Sequence, residues 1–493
     1  MECMQELRER AAELADLHHV MALLQWDQEV MLPRRAAPER AEQIATMSGI
    51  VHRKEVDPRL GELLAAATEQ SEGLEVVERA LVRKMQRDFD HSTKLPESFV
   101  VEFASLTSRA LPVWVEARRR DDFASFAPCL AQIVAMSRRQ ADFLGYAAEP
   151  YDALLDLYEE GLTTARVGAC FGAIREPLAA MLAGLAGDAA PGAAMPLAEP
   201  FRVEEQIRFA DRLLAMIGFD FNRGRQDRSA HPFSTGLGGN DQRVTNRYRA
   251  DSMEFIFSAL HEGGHALYEQ GVAPELARTP LASGVSLGIH ESQSRLWENI
   301  IGRSLPFWHH CFGELVQAFP AQFGSMAMEE FVARINMVHP GPIRVEADEV
   351  SYNLHVLIRF ELEKALLDGD LAVADLPAAW NQRYRELLGV KVGSDAQGVL
   401  QDIHWAHGSF GYFPTYTLGN LAAAQIWRAY CRFDPDHDAT LARGDFGKVR
   451  GWLTEQIYGH GSVYPPGELL LRVTGEELQA RYFLDYLGNK FGA

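Results

Sequence analysis

The sequence predicts a large, mainly α-helical protein with one small β-sheet. Apolar residues recur at three- and four-residue spacing along most of the chain, which is the pattern of amphipathic helices. Signals for strands are few, and the best of them, an alternation of apolar and polar residues, lies between His231 and Arg249. With 493 residues, 47% of them hydrophobic, the chain is long enough to bury a sizeable core.

The helices are predicted from this spacing together with acceptable residues at their ends. In order they are 4–25, 36–50, 74–90, 97–120, 126–145, 163–185, 203–217, 251–270, 290–303, 328–337, 347–368, 376–388, 418–433, 445–458 and 475–487. The Ala-, Gly- and Pro-rich segment 186–196 is predicted to be a surface loop between two helices. Since no other segment resembles a linker, we expect a single domain over residues 1–493.

The strand is predicted immediately before the helix at 251–270. Glycines and polar residues at 236–241 favour a turn, and residues 242–248 alternate as a short strand does. A strand with a free edge at this place would hold an extended peptide by main-chain hydrogen bonds. An ordinary surface hairpin is the alternative.

The helix at 251–270 carries the most informative motif of the chain, HEGGH at 261–265. Two imidazoles four residues apart share one face of a helix and can bind one metal ion. Glu262 would then lie beside the open position of the metal, where a carboxylate takes a proton from water. This arrangement indicates a metallopeptidase.

The neighbours of the motif support a helix. We expect Asp251 or Ser252 as N-cap, Glu254 as the carboxylate of a capping box, and a stop at Gly271. One stripe, predicted to line a cleft, consists of Glu254, Ser258, His261, His265 and Tyr268. Gly263 and Gly264 each cost about 1 kcal/mol of helix stability relative to Ala, so either close packing or room for a substrate is expected there.

A third metal ligand is expected further along, because catalytic zinc usually has three protein ligands and one position for water. The first candidate is Glu291, at the start of a predicted helix. His290 and Glu298 are the alternatives.

Four segments carry a resemblance to a known family. They are DQRVT at 241–245, HEGGH at 261–265, HESQ at 290–293 and GVLQDIHW at 398–405. Together they resemble the diagnostic motifs of the thermostable carboxypeptidase Taq family of zinc metallocarboxypeptidases. Shorter likenesses occur at 24–28, 150–156, 231–233, 346–353 and 410–416, so the resemblance runs from about residue 20 to the C-terminus. One motif is imperfect, at LLDGD 366–370, which reads as a helix end and turn.

The resemblance implies a large helical, two-lobed metallopeptidase with a deep active-site cleft and a small β-sheet beside the metal-binding helix. It strengthens Glu291 as the third ligand. It also implies a homodimer and broad specificity, with amino acids released one at a time from peptide C-termini.

The expected mechanism is hydrolysis by metal-activated water, without an acyl-enzyme. Zn²⁺ is expected on His261, His265 and Glu291, although Co²⁺ or Mn²⁺ would also fit such ligands. Glu262 would take the proton of the water and pass it to the leaving amine.

The segment 398–416 is expected to close the cleft. Its glycines and Pro414 break helices, so His404, His407, Tyr412 and Tyr416 are offered from a loop. By analogy with related helical zinc peptidases, we assign Tyr412 to the oxyanion and His404 to the carbonyl of the departing residue. Tyr416 is the alternative to Tyr412, and His407 is taken as a substrate-binding residue.

An enzyme that removes C-terminal residues must bind a free carboxylate, for which the planar fork of Arg is well suited. Arg344 is the first candidate, with Arg243 and Arg247 as alternatives. The other reading of Arg344 is an ion pair with Glu346 or Asp348. His231, in the HPF segment at 231–233, completes the expected substrate-binding residues.

Composition excludes several classes of partner. The formal net charge of −20 disfavours nucleic acid and anionic membranes. Five scattered cysteines without a C-x-x-C pair indicate neither a disulfide framework nor a thiolate metal site. We expect no window of about 18 apolar residues and no signal peptide, and therefore a cytoplasmic protein.

Three other functions share some of these features. An oligoendopeptidase would have the same metal centre and differ in where peptides are cut. An aminopeptidase would need a carboxylate that binds the substrate amine, which the sequence does not show near the metal. A non-catalytic peptide-binding protein is disfavoured because Glu262 and every candidate ligand are present.

Overall fold

The computed structural model describes residues 2–185 and 199–492, and the loop predicted at 186–196 lies outside the described residues. The described part is mainly helical with one small sheet, which confirms the predicted fold class. The α-helices are α1 (Glu2–Val30), α2 (Ala37–Glu55), α3 (Pro58–Glu69), α4 (Val76–Lys94), α5 (Glu97–Arg120), α6 (Phe123–Leu144), α7 (Pro150–Asp156), α8 (Thr164–Leu185), α9 (Val203–Ile217), α10 (Glu254–Gly271), α11 (Leu287–Arg295), α12 (Leu305–Ala318), α13 (Pro320–Phe323), α14 (Met328–Ile335), α15 (Tyr352–Asp368), α16 (Leu376–Leu387), α17 (Pro414–Phe433), α18 (His437–Ala442), α19 (Phe446–Gln456), α20 (Pro466–Thr474) and α21 (Arg481–Phe491).

The predicted helices are all present, with ends displaced by a few residues, and several short helices were missed. Four of the missed helices, α3, α7, α13 and α20, begin with a proline. Proline breaks a helix in its interior but is favoured in the first turn, where its missing N–H is not needed. A proline at the start of a segment is therefore also a signal for a helix start, which the sequence analysis did not use at these four positions.

The sheet has three strands, β1 (Gly224–Arg228), β2 (Ser234–Gly236) and β3 (Gln242–Asn246), in the order β1-β3-β2. β3 pairs in parallel with β1 and antiparallel with β2, so it lies in the centre. The prediction of a free edge on this strand is therefore wrong, because both of its edges are already paired. The edge strands are β1 and β2.

The described chain forms two compact units, each built from three separated segments. Of the described residues, the first unit comprises 2–93, 199–335 and 423–477, and the second comprises 94–185, 336–422 and 478–492. A single domain over 1–493 stays a prediction.

The first unit contains the sheet, the metal-binding helix α10 and two clusters of buried side chains. In one, α1, α3 and α4 pack with Val272, Leu276 and Val463. In the other, Phe209 of α9 meets Phe255 of α10 edge to face at 6.4 Å, and Phe319 packs between Phe255 and Phe323 of α13. Burial of such surfaces, at about 25 cal/mol per Å², is the main force that holds these helices together.

The second unit is centred on α15, which is buried along most of its length. Phe360 of α15 meets Tyr151 of α7 and Phe171 of α8 edge to face, and Trp380 of α16 stacks on Tyr384. These contacts fix α15 between its neighbours, so polar side chains on it have defined surroundings.

Within residues 2–185 and 199–492, one helix, α8, is long and apolar enough to cross a membrane by length and composition, which corrects the expectation that no such window exists. Core helices pass the same test. In the structure Arg175, in the middle of α8, pairs with Glu361 of α15 at 2.5 Å.

Candidate active site

The helix α10 begins and ends differently from the prediction. Its N-cap is Met253, whose side chain makes no capping bond, so neither Asp251 nor Ser252 is the N-cap. The hydroxyl of Ser252 accepts from the N–H of Glu254 at 3.1 Å, and the Glu254 carboxylate pairs with Arg247 instead of closing a capping box. The helix ends with Gly271, as predicted.

The predicted stripe on α10 holds except at its end. Glu254, Ser258, His261 and His265 are partly exposed, whereas the flanking residues of the helix are buried. Tyr268 is fully buried, stacked on the Tyr458 ring at 5.2 Å, so the accessible stripe stops at His265.

Both glycines of the motif permit close packing, which confirms the first of their two expected roles. A Cβ on Gly263 would lie 2.7 Å from Leu214 of α9. A Cβ on Gly264 would lie 2.6 Å from the carbonyl oxygen of Gln293 and 2.7 Å from the Cα of Ser294 in α11. Because those are backbone atoms, the absence of a side chain at Gly264 lets α11 approach α10 closely.

This approach brings three candidate ligands together. The Oε2 atom of Glu291 on α11 lies 3.6 Å from Nε2 of His261 and 3.4 Å from Nε2 of His265. The ligand atoms of the three residues all lie within 4.8 Å of one another. Two ligands at zinc bond lengths with a tetrahedral angle would be about 3.4 Å apart. The set of two imidazoles and one carboxylate therefore fits a zinc-sized ion.

The alternatives His290 and Glu298 lie behind the imidazoles. Oε2 of Glu298 is 2.8 Å from Nδ1 of His261. Nδ1 of His290 is 2.6 Å from Nδ1 of His265, and Nε2 of His290 is 2.9 Å from Oε1 of Glu269. If both ligand histidines use Nε2 for a metal, each Nδ1 carries its proton, and the proton of His265 points to His290, which donates in turn to Glu269. Such partners orient metal-binding histidines.

Glu269 was missed by sequence reasoning, although a signal exists. It lies four residues after His265, on the same side of α10, and its carboxylate also accepts from the hydroxyl of Ser283 and the N–H of Gly284 at 3.0 Å. The two hydrogen bonds hold the carboxylate in place for His290.

Arg295 links the third ligand to its surroundings. Its Nε donates to Oε1 of Glu291 at 2.7 Å and its Nη1 to Oε2 of Glu298 at 3.2 Å. Burial works against ionisation of Glu291, but Arg295 and the histidines outweigh it and hold the pKa well below its usual range. Glu291 is thus a carboxylate with acceptor oxygens only, as metal binding requires.

Glu262 lies between the two histidines in sequence and is 7% exposed. Burial raises the pKa of its carboxyl to about 7; His261 opposes the rise, and Glu291 and Glu298 add to it. The environment of Glu262 therefore differs from that of Glu291, which has an arginine partner.

The helix predicted at 290–303 changes its winding after Arg295. The segment Leu296–Ile301, which contains Glu298, is a π-helical turn. Turns of this kind inside α-helices are rare and occur frequently at functional sites.

The candidate substrate-binding residues of the first unit lie on or near the sheet. The guanidinium of Arg243 on β3 lies 4.6 Å from the ring centre of Trp26 and pairs with Asp241. His231, in the loop between β1 and β2, is exposed. Nη2 of the alternative, Arg247, donates to Oε1 of Glu254 at 2.7 Å and to Oε2 at 2.6 Å.

In the second unit Arg344 is 5% exposed and pairs with Asp402, not with Glu346 or Asp348 as expected. Its Nε and Nη2 donate to Oδ1 of Asp402 at 3.1 and 2.9 Å, and its Nη1 donates to the hydroxyl of Tyr352 at 3.0 Å. Oδ2 of Asp402 accepts from a second buried guanidinium, Arg359, at 2.7 Å.

His404, His407 and Tyr412 lie in irregular chain, as predicted, but Tyr416 lies in the first turn of α17, because Pro414 starts that helix and does not break one. His404, Tyr412 and Tyr416 form one aromatic group. Nε2 of His404 lies 3.1 Å from the hydroxyl of Tyr416, and the His404 and Tyr412 rings are 5.3 Å apart. Burial lowers the pKa of His404 to about 3; Asp402 opposes this shift, while Arg344 and Arg359 add to it. His404 is therefore a neutral imidazole, and His407 is exposed.

Comparisons with known proteins agree on one family. The family model for the carboxypeptidase Taq (M32) metallopeptidases matches residues 6–491. Thermostable carboxypeptidase 1 of Thermus thermophilus is 43% identical over 99% of this chain and 98% of its own length. Carboxypeptidase 1 of Bacillus subtilis is 38% identical over 96% of this chain and 94% of its own length.

A solved structure gives the same result. The M32 carboxypeptidase from Deinococcus radiodurans R1 has a TM-score of 0.97 and 41% identity, covering 100% of this chain and 99% of that one. The oligoendopeptidase and peptide-binding alternatives are not favoured by these relatives. Since the matches span nearly the whole chain, it belongs to the carboxypeptidase Taq (M32) metallopeptidase family and is a metal-dependent carboxypeptidase.

Proposed function

We propose that the protein releases amino acids one at a time from the C-termini of peptides, with broad specificity, by attack of metal-activated water. The observation that carries this proposal is the convergence of His261, His265 and Glu291, with Glu262 on the same helix. These three residues would hold a divalent ion, for which we propose Zn²⁺ with Co²⁺ or Mn²⁺ as alternatives; when bound, it supplies the Lewis acid. Glu262 accepts a proton from the attacking water and passes it to the leaving amine.

Tyr412 and His404 are the other proposed catalytic groups. The hydroxyl of Tyr412 donates a hydrogen bond to the oxyanion, with Tyr416 as the alternative, and His404 donates a hydrogen bond to the carbonyl of the departing residue. The neutral state of His404, whose side chain is partly exposed, supports this role, because a neutral imidazole has one N–H donor and carries no charge that must be desolvated.

Arg344 remains the first candidate for the terminal carboxylate, with Arg243 as the alternative, and His231, His407 and Tyr416 as further substrate-binding residues. Arg344 and Arg359 share the single carboxylate of Asp402, so these three side chains have a net positive charge. Burial makes this excess charge attractive to an anion. Arg344 is the more accessible guanidinium of the two, since Arg359 is 0% exposed.

One peptide prepared with a free and with an amidated C-terminus tests the proposal. Charge-assisted hydrogen bonds contribute roughly 1.5–3 kcal/mol each, so amidation should lower kcat/KM at least about tenfold. Arg344→Ala should weaken cleavage of the free acid by a similar factor and narrow the difference between the two peptides. Mass spectrometry under metal-saturating conditions should show successive loss of C-terminal residues.

Equal cleavage of acid and amide, or internal cuts as the main products, would move the function to an oligoendopeptidase. An unchanged acid-to-amide ratio in Arg344→Ala would move carboxylate binding to Arg243, whose Ala variant is the matched comparison.

We also propose that the chain is a single peptidase domain and forms a homodimer in the cytoplasm. The family resemblance supports the dimer, and light scattering on the purified protein tests it. All five cysteines are free, which fits a reducing compartment.

A further inference from the structure

A buried carboxylate that the proposed mechanism does not use lies in the second unit. Glu363, on α15, is 0% exposed. Its Oε2 accepts from the hydroxyl of Tyr151 at 2.7 Å and from the N–H of Gly411 at 3.1 Å. Its Oε1 accepts from the indole N–H of Trp405 at 2.8 Å. Three donors, one from α7 and two from the segment 398–413, therefore converge on one side chain.

Two of these donors belong to the loop that carries the proposed catalytic groups. Trp405 directly follows His404, and Gly411 directly precedes Tyr412. We propose that Glu363 is a positioning residue, which fixes His404 and Tyr412 for the reaction by binding the loop at the residue next to each. This inference rests on the roles of His404 and Tyr412 in the proposed function.

The loop has little freedom to compensate for the loss of these bonds. Gly411 has φ of +88°, and a Cβ there would lie 2.8 Å from the backbone carbonyl group of Leu154 in α7. The ring of Tyr412 meets the ring of Tyr158 edge to face at 5.2 Å. Because α7 blocks one side of Gly411, a displacement of Gly411 is passed on to Tyr412.

The three donors require a carboxylate and not merely a polar side chain. A carboxylate has only acceptor oxygens, whereas a carboxamide has one oxygen and one NH₂ group. In Glu363→Gln, the NH₂ group can donate to the hydroxyl of Tyr151, since a hydroxyl also accepts. If the NH₂ group replaces Oε1, it faces the indole N–H of Trp405, and if it replaces Oε2, it faces the N–H of Gly411. In either orientation one of these two donors loses its acceptor.

Glu363→Gln should therefore lower kcat while KM changes little, since the misplaced groups act in the transition state. A displacement of about 1 Å can cost about 100-fold in rate, so we expect a loss of about 10- to 100-fold. Tyr151→Phe is the matched control, because it removes one donor from the same carboxylate and leaves both loop bonds in place. Its kcat should stay within about threefold of the wild type. Metal content and Tm are measured for each protein, and activity is assayed well below every Tm.

A double-mutant cycle with Tyr412→Phe separates positioning from a general structural effect. If Glu363 acts through Tyr412, Glu363→Gln should cost much less in the Tyr412→Phe background than in the wild type. Should Glu363→Gln fail to fold, Trp405→Phe removes the Oε1 donor alone and should lower kcat in the same direction.

Wild-type kcat in Glu363→Gln with only a lower Tm would overturn the proposal. So would a double variant whose fold-loss in kcat equals the product of the losses in Glu363→Gln and Tyr412→Phe. Internal cuts by the wild type would contradict the proposed function and not this inference, because the same variants measured on that cleavage still decide the role of Glu363.

Discussion

Glu262 and Glu291 are both buried carboxylates near the two histidines, yet their substitution should affect metal content differently. Glu262→Gln removes the proton acceptor without removing a ligand. We expect unchanged metal content and fold, and a loss of about 10²–10⁴-fold in kcat. Elemental analysis and steady-state kinetics on the same preparation measure both. Near-normal turnover in the metal-replete variant would contradict the mechanism.

Glu291→Ala should instead lose metal, because two imidazoles alone hold zinc poorly. Glu298→Gln serves as its comparison, since Glu298 contacts His261 at Nδ1, away from the Nε2 ligand atom. This substitution should weaken metal affinity by about 10- to 100-fold without abolishing binding. Titration with a competing chelator gives both affinities. Stoichiometric metal in Glu291→Ala together with metal loss in Glu298→Gln would exchange the two roles.

The site residues that could be predicted from the sequence are those placed together by their local spacing along the chain. His261 and His265 share a helix face by their separation alone, and Glu291 stands at the start of the next predicted helix. The partner of Arg344 is different: Asp402 lies 58 residues further along the same segment of the second unit. Only tertiary packing brings that pair together, so periodicity could not have shown it.

Among the elements, the close approach of α10 and α11 is the feature on which the metal ligands depend. Gly264→Ala should push the backbone of α11, and with it Glu291, away from the histidines. Overpacking of this kind typically costs about 1–3 kcal/mol, so we expect a lower Tm and weaker metal binding. Differential scanning calorimetry and a metal titration measure the two effects.

Gly313→Ala is the control for Gly264→Ala. Gly313 lies within α12, and nothing is found within 4 Å of an added Cβ. There the substitution should stabilise by about 0.5–1 kcal/mol, because Ala is the better helix former. Stabilisation by Ala at both positions would mean that α10 and α11 have room for a side chain at Gly264.

Elements with strong periodicity were predictable, whereas those formed mainly by pairing were not. β1 has the sequence GRQDR, which shows no apolar alternation, and it is a strand because its backbone pairs with β3. Its presence converts β3 from an edge into a central strand. The peptide-binding edge expected from the sequence failed for this reason.

For the molecule as a whole, buried histidines should make stability fall in acid. Burial lowers the pKa of His355 well below its usual range; Arg359 and Arg344 add to this, and Asp402 opposes it. His404 behaves similarly. An unfolded histidine takes up a proton below about pH 6.5 while the folded one does not, so stability is lost as pH falls from there.

Each such histidine lowers the free energy of unfolding by at most about 1.4 kcal/mol for each pH unit that the pH falls. The Tm of the wild type should decrease between pH 7 and pH 5, and His355→Gln should show a smaller decrease, whatever its Tm at pH 7. Scanning calorimetry of both proteins in the same buffers measures the two slopes. Parallel slopes would mean that His355 does not control this loss.

The first unit is built from three separated segments of the chain, so it cannot be completed until its last segment has been synthesised. Leu7 near the beginning of the chain and Val463 near its end belong to one buried cluster, and Gly271 at the end of α10 packs against Tyr458. A ribosome therefore releases His261, His265 and Glu291 well before the residues that complete their surroundings. Contacts between such distant residues form slowly. During translation the N-terminal helices carry uncovered apolar surface until the last segment arrives, which makes the nascent chain a candidate for chaperone binding.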